Sequence, residues 1–263
     1  MKVFSYWEQN SFSNVIPPYV LCGLSSMRKI FQDDFILLNK RNLSSWVDFD
    51  FSKKNIFFAA SPDKKFDQIS RIVAKSDFIR FKFIEEHGGF WLDADSVVFG
   101  DFRPDLMQGV GDGKFVWHCE AFFGAEKQNR LVKSVVANMI ASERQIFANP
   151  GNVKDIVVEN RSDVSHIPLT LIDPTSQHSY NAKSWAIVTQ SGTQVSDFLV
   201  NDSCKMMKLY NSVTSGADLA TLSVSDFLES DSLLANLFLH IEPAKNFWID
   251  EARKIEKEVG NEN

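Results

Sequence analysis

Two kinds of segment alternate along the chain. Short apolar runs rich in aromatic and β-branched residues fall at 2–7, 35–39, 90–99 and 114–125. Runs of that length and composition predict buried β-strands. Between them lie longer stretches in which apolar residues recur every three or four positions, predicting helices over 19–31, 61–87 and 127–147. The middle helix opens with Ser61 as N-cap and Pro62 in its first turn, and carries Ile69, Ile72, Val73, Ile79, Phe83 and Ile84 at helical spacing. Gly88-Gly89 ends it, because glycine accepts the left-handed conformation that a helix C-terminus needs. Strand, helix, strand at the start predicts a parallel α/β opening. Residues 150–182 are polar and turn-rich and read as an excursion from the main sheet. Residues 184–190 and 219–241 return to apolar patterning. The expectation is one α/β domain over 1–250 and a charged tail at 251–263 that forms a fraying surface helix.

Composition narrows this picture. The 263 residues are 44% apolar, with 23 Phe and 6 Trp, enough to build a sizeable core. A charged fraction of 24% is ordinary for a folded domain. The formal charge of -6 argues against a nucleic-acid partner, since binding a phosphate backbone favours a basic footprint. No apolar run reaches the ~20 residues that span a bilayer, so no transmembrane segment is expected. The first ten residues include Glu8 and lack the plan of a signal peptide. Cys22, Cys119 and Cys204 are far apart and odd in number, which predicts reduced thiols in a cytoplasmic protein.

The chemistry concentrates in residues 75–98. Asp93 and Asp95 lie two apart in or just after an apolar strand, so their carboxylates project to one face. The end of such a strand is where ligands sit in open α/β sheets. Paired hard oxygens suit Mg²⁺ or Mn²⁺ together with phosphate. Taken alone, Asp-Ala-Asp reads better as the end of a strand or the cap of the next turn than as a metal site. Asp77 and Arg80 are three apart on one helix face and are flanked by Phe78, Ile79, Phe81 and Phe83. A charge pair on a buried face must be mutually satisfied, unlike an ordinary surface pair.

Ser-Asp-x-x-Arg, an apolar helix end, Gly-Gly, an aromatic strand and Asp-x-Asp together resemble the DXD-containing sugar transferases of glycosyltransferase family 32. That group includes capsular polysaccharide synthesis enzymes, and is more distantly similar to the catalytic domains of clostridial glucosylating toxins. The resemblance is strong over some two dozen residues. It implies a GT-A fold, meaning a Rossmann-like mixed sheet flanked by helices that binds a nucleotide sugar. It also implies Mn²⁺ (or Mg²⁺), a donor such as a UDP-hexose, and retention of anomeric configuration. By the same resemblance Asp95 binds the metal directly, while Asp93 contacts the donor and reaches the metal through water. Asp77 and Arg80 would hold sugar hydroxyls, with Arg80 also positioning Asp93. Trp91 would lie beside the donor and Trp7 would stack on the base; a core position is the alternative for Trp7. The acceptor would be a glycan or lipid-linked saccharide in bacterial surface polysaccharide synthesis, with peripheral contact at the inner membrane.

Toward the C-terminus the chain departs from that pattern. His240 and Trp248 occupy the region where relatives complete the metal and diphosphate site, but at longer spacing, and residues 190–194 replace a Gly-Pro segment. His240 therefore reads either as a metal ligand or as a structural histidine. His118, Cys119 and Glu120 alternate in direction along a strand, so they do not form a cluster, although Glu120 has a place facing the acceptor. His166 and His178 lie in the polar excursion and read as easily as solvated residues as functional ones. Two other functions stay open: a haloacid-dehalogenase-like phosphohydrolase using Asp93 as nucleophile, and a nucleotide-sugar-binding protein with a degenerate site.

Overall fold

A computed structural model describes residues 1–9, 15–51, 64–142, 149–174, 188–209 and 218–260. The expected helix start at Ser61-Pro62, His178, and residues 184–187 lie outside the described residues. The described residues gather into two compact units. One comprises Met1–Asn14, Ile36–Leu92 and Arg103–Ile167; the other comprises Val15–Phe35, Asp93–Phe102 and Pro168–Asn263.

The first unit holds the main sheet, built from β1 (Val3–Tyr6), β2 (Phe35–Leu38), β3 (Gly89–Leu92), β5 (Phe115–Cys119), β6 (Phe122–Ala125) and β7 (Val164–His166). Among the described residues the strand order is β2-β1-β3-β6-β5-β7. β3 runs parallel to β1, with Phe4 opposite Trp91, and antiparallel to β6, with Trp91 opposite Phe123. The sheet is therefore mixed, as expected for the α/β class. Helices α2 (Lys64–His87), α3 (Arg103–Gly111), α4 (Arg130–Ala141) and α5 (Val153–Glu159) complete the unit. Helix α2 packs by its aromatic face: Phe81 stacks on Phe123 at 4.6 Å, and Phe83 meets Phe4 at 3.9 Å. Helix α4 begins where Asn129 Oδ1 accepts hydrogen bonds from the Leu131 and Val132 amides.

Two expectations change here. Residues 150–167 do not leave the main sheet. Val153, Ile156 and Val157 are buried, and β7 joins the sheet edge parallel to β5. Nor are residues 90–99 one strand, because the chain bends at Asp93–Asp95 and resumes as β4 (Ser96–Val98) in the second unit. An unbroken strand would put Asp93 and Asp95 on the same pleat face as Trp91, which is 1% exposed. Carboxylates are costly to carry into such a face.

In the second unit α1 (Pro18–Phe31) is buried along most of its length and starts with Pro18 in its first turn. Strand β4 pairs antiparallel with β8 (Met206–Lys208), placing Ser96 opposite Lys208. Gly23 lets α1 approach closely, since a Cβ there would lie 2.6 Å from the Ser96 carbonyl oxygen. Ser26 Oγ accepts the Val98 amide at 3.1 Å. Helices α6 (Val195–Phe198), α7 (Val224–Glu229), α8 (Leu233–Ile241) and α9 (Lys245–Val259) follow. The expected tail boundary at residue 250 falls inside α9. That helix buries Trp248, Ala252, Ile255 and Val259, and Arg28 of α1 reaches Glu258 at 2.6 Å. Within 251–259 one side of the helix, Ala252, Ile255 and Val259, is buried while the charged side faces solvent, because apolar side chains recur on one side of an otherwise charged helix. Cys22, Cys119 and Cys204 are free thiols.

Gly88 and Gly89, at φ 71° and 121°, turn α2 into β3. A Cβ at Gly89 would lie 2.7 Å from the Lys2 carbonyl oxygen. Gly89→Ala is expected to cost at least about 2 kcal/mol in urea unfolding. Gly111→Ala, where nothing lies within 4 Å, should change stability by no more than about 1 kcal/mol.

Candidate functional site

The structure assembles the predicted polar residues into two clusters, one in each unit. In the first unit, Asp77 and Arg80 are 5% and 7% exposed on adjacent turns of α2. Arg80 Nη2 lies 2.8 Å from Asp77 Oδ1, its Nη1 donates to the Glu120 carbonyl oxygen at 2.6 Å, and its Nε donates to the Ser76 carbonyl at 3.4 Å. The guanidinium also sits over the Trp91 ring, 5.1 Å from its centroid. A buried guanidinium needs this many partners, and the planar fork holds Asp77 in one geometry.

Trp91, expected beside a donor, is buried on a central strand. With β1 on one side and β6 on the other, β3 is buried at each of its positions, and Arg80 covers the Trp91 ring. Trp7 follows β1, where its backbone N–H donates to the Leu38 carbonyl at 3.0 Å. The residue is half-buried, and its indole Nε1 is buried with no hydrogen-bond acceptor among the described residues.

In the second unit, the acidic bend closes on a residue the sequence does not flag. Lys208 Nζ donates to Asp93 Oδ2 at 2.5 Å and to Asp95 Oδ1 at 2.6 Å. All three side chains are at least four-fifths buried. Burial works to lower the Lys208 pKa, but the two carboxylate charges and their hydrogen bonds hold it above the ordinary lysine value. Two backbone anchors set the geometry: the Ser96–Lys208 register and the Leu209 amide, which donates to the Asp95 carbonyl at 2.7 Å. A lysine ending an apolar run, Met206-Met207-Lys208, is the signal available in sequence, and it is a weak one.

His240 and Trp248 do not complete this cluster. Helix α8 turns Leu233, Leu234, Leu237 and Phe238 inward and leaves His240 exposed in its last turn. Trp248 is fully buried and donates to the Glu242 carbonyl at 2.8 Å. Among the described residues no group of three His, Cys, Asp or Glu side chains gathers as metal ligands. Glu120 Oε1 lies 3.4 Å from Lys154 Nζ. His118 and His166 end neighbouring strands, and burial followed by the His166 charge pushes the His118 pKa from 6.5 down to about 4.

The described residues thus form a mixed α/β sheet whose β3 is followed by a buried Asp-x-Asp bend. The chain belongs to the capsular polysaccharide synthesis protein family, whose model matches residues 1–147. No curated protein matches it by sequence. Among solved structures, "PaToxG Glycosyltransferase" aligns over 90% of this chain and 85% of its own, at 12% identity and a TM-score of 0.38.

Arg80→Ala leaves the Asp77 carboxylate buried without its cation and should cost about 3–5 kcal/mol in equilibrium unfolding. His118 stays neutral in the folded state down to about pH 4, whereas the unfolded chain takes up its proton near 6.5. Its contribution to stability is therefore complete above pH 6.5 and is lost as pH falls toward 4. Melting His118→Asn across that window should show a shallower acid decline than the parent.

Proposed function

We infer that the protein is a retaining GT-A glycosyltransferase that moves a hexose from a UDP-linked donor to a glycan or lipid-linked acceptor in surface polysaccharide synthesis. One observation carries this reading: Asp93 and Asp95 converge on a single cationic nitrogen at 2.5 and 2.6 Å. Two hard carboxylate oxygens aimed at one point already hold a cation. They suit Mg²⁺ or Mn²⁺, which fill their remaining positions with water and phosphate oxygens. When bound, such an ion would neutralise charge on the departing diphosphate.

The remaining roles fall to the chain's own side chains. Asp95, the more deeply buried of the two acids, would ligate the metal directly, with Asp93 beside it. Asp77 is held in one rotamer by Arg80, which suits recognition of sugar hydroxyls by a prepaid geometry. Trp7 carries an indole N–H lacking an acceptor and a flat apolar ring, both of use to a nucleoside base. Retention follows from the family resemblance and would proceed by attack of the acceptor hydroxyl on the face the diphosphate leaves. Membrane-associated acceptors would be met by peripheral contact, since no described helix is long and apolar enough to cross a bilayer.

A thermal-shift panel of UDP- and GDP-sugars with Mn²⁺ should single out the donor, because a ligand that binds only the folded state raises apparent stability. Release of UDP from that donor with Mn²⁺ and no acceptor separates a working transferase from a degenerate binding protein. Asp95→Ala should lower UDP release by about 10²–10³-fold while leaving the circular dichroism spectrum unchanged. Parental turnover in that variant removes the metal-site reading.

A further inference from the structure

Lys208 occupies the point at which the two carboxylates converge. It does so by design of the backbone rather than by reach of a loose side chain. The β4–β8 ladder pairs Lys208 with Ser96, the residue directly after Asp95. The Leu209 amide then clamps the Asp95 carbonyl at 2.7 Å. Lys208 is thus fixed at its backbone on one side of the bend while its ammonium bridges both acids.

The charges decide what this means for a metal. Among the described residues, two carboxylates and one ammonium leave this cluster a single net negative charge, with all three side chains largely closed to water. A divalent ion added to that set makes the cluster net positive, and two cations would crowd the same pair of oxygens. A nucleoside diphosphate restores the balance, since its oxygens accept from both the ion and an ammonium.

We propose that Lys208 is a built-in competitor of the divalent ion for Asp93 and Asp95, so that the metal loads together with the donor diphosphate rather than before it. This rests on the metal-dependent reading given above. Lys208 then acts as a positioning and selectivity residue: it keeps the acids paired and the site ordered without metal, and it yields them when a diphosphate offers the ammonium another acceptor. The order of binding becomes a property of one side chain.

Titration of Mn²⁺ followed by electron paramagnetic resonance of the free ion tests this without any turnover. The parent protein should bind Mn²⁺ weakly alone and more tightly with UDP present. Lys208→Gln should bind Mn²⁺ alone about tenfold more tightly or better, because one unit charge beside the ion is removed, and UDP should add less than it does in the parent. Lys208→Arg keeps the charge and should keep the weak binding. Because Lys208→Gln removes the ammonium from two buried acids, its melting temperature is followed in parallel, and Mn²⁺ should raise it more than it raises the parent's. Lys208→Met serves as a second neutral variant. Equal Mn²⁺ affinity for the parent and both neutral variants overturns the competition while leaving the metal site standing. Absence of Mn²⁺ binding in all of them, with and without UDP, overturns both.

Discussion

Two carboxylates placed two residues apart in a buried bend repel each other, and the chain must supply a cation to keep them there. That constraint organises the second unit. Lys208 meets it from a strand of three residues, and the ladder that carries Lys208 also ties down the backbone around the bend. The close approach of α1 at Gly23, and the Ser26 hydroxyl that accepts the Val98 amide, hold the other side of the same ladder. Packing and charge therefore support each other: the ladder places the ammonium, and the ammonium makes the acidic bend tolerable.

The first unit solves a related problem with opposite sign. Arg80 is a buried cation, and it is satisfied by one carboxylate, two carbonyl oxygens and the face of an indole. Its partners come from its own helix, from the turn after β5 and from β3, so a single side chain ties α2 to the sheet. The aromatic contacts of Phe81 and Phe83 seal the same interface. The enclosed guanidinium holds Asp77 in place, and the Trp91 ring lies against it.

Much of this is legible in the sequence because it is local. The i,i+3 spacing of Asp77 and Arg80 reads directly as a pair, and the Phe-rich flanks read as burial. Gly88-Gly89 marks the turn into β3, and the apolar runs at 2–7 and 114–125 become strands. What stays hidden depends on distant chain. The strand carrying Lys208 is too short to announce itself, and its partner aspartates lie more than a hundred residues earlier. The break between β3 and β4 is set by what the carboxylates must reach. The return of β7 to the sheet depends on apolar residues dispersed in a polar stretch, Val153, Ile156 and Val157. For Trp91 the composition of its strand is clear, but which strands flank it decides between a ligand contact and a core position. His240 shows the same limit, since helical spacing alone does not reveal that the last turn of α8 faces water.

The 115 residues that separate Asp93 from Lys208 have a consequence for how the chain is made. At about 5–20 residues per second of synthesis, the acidic bend leaves the ribosome roughly 6–23 s before its ammonium does. Throughout that interval the ammonium that bridges the two aspartates has yet to be made. The acidic bend and the ammonium that closes it are thus made at different times, and their contact forms only when the last third of the chain arrives.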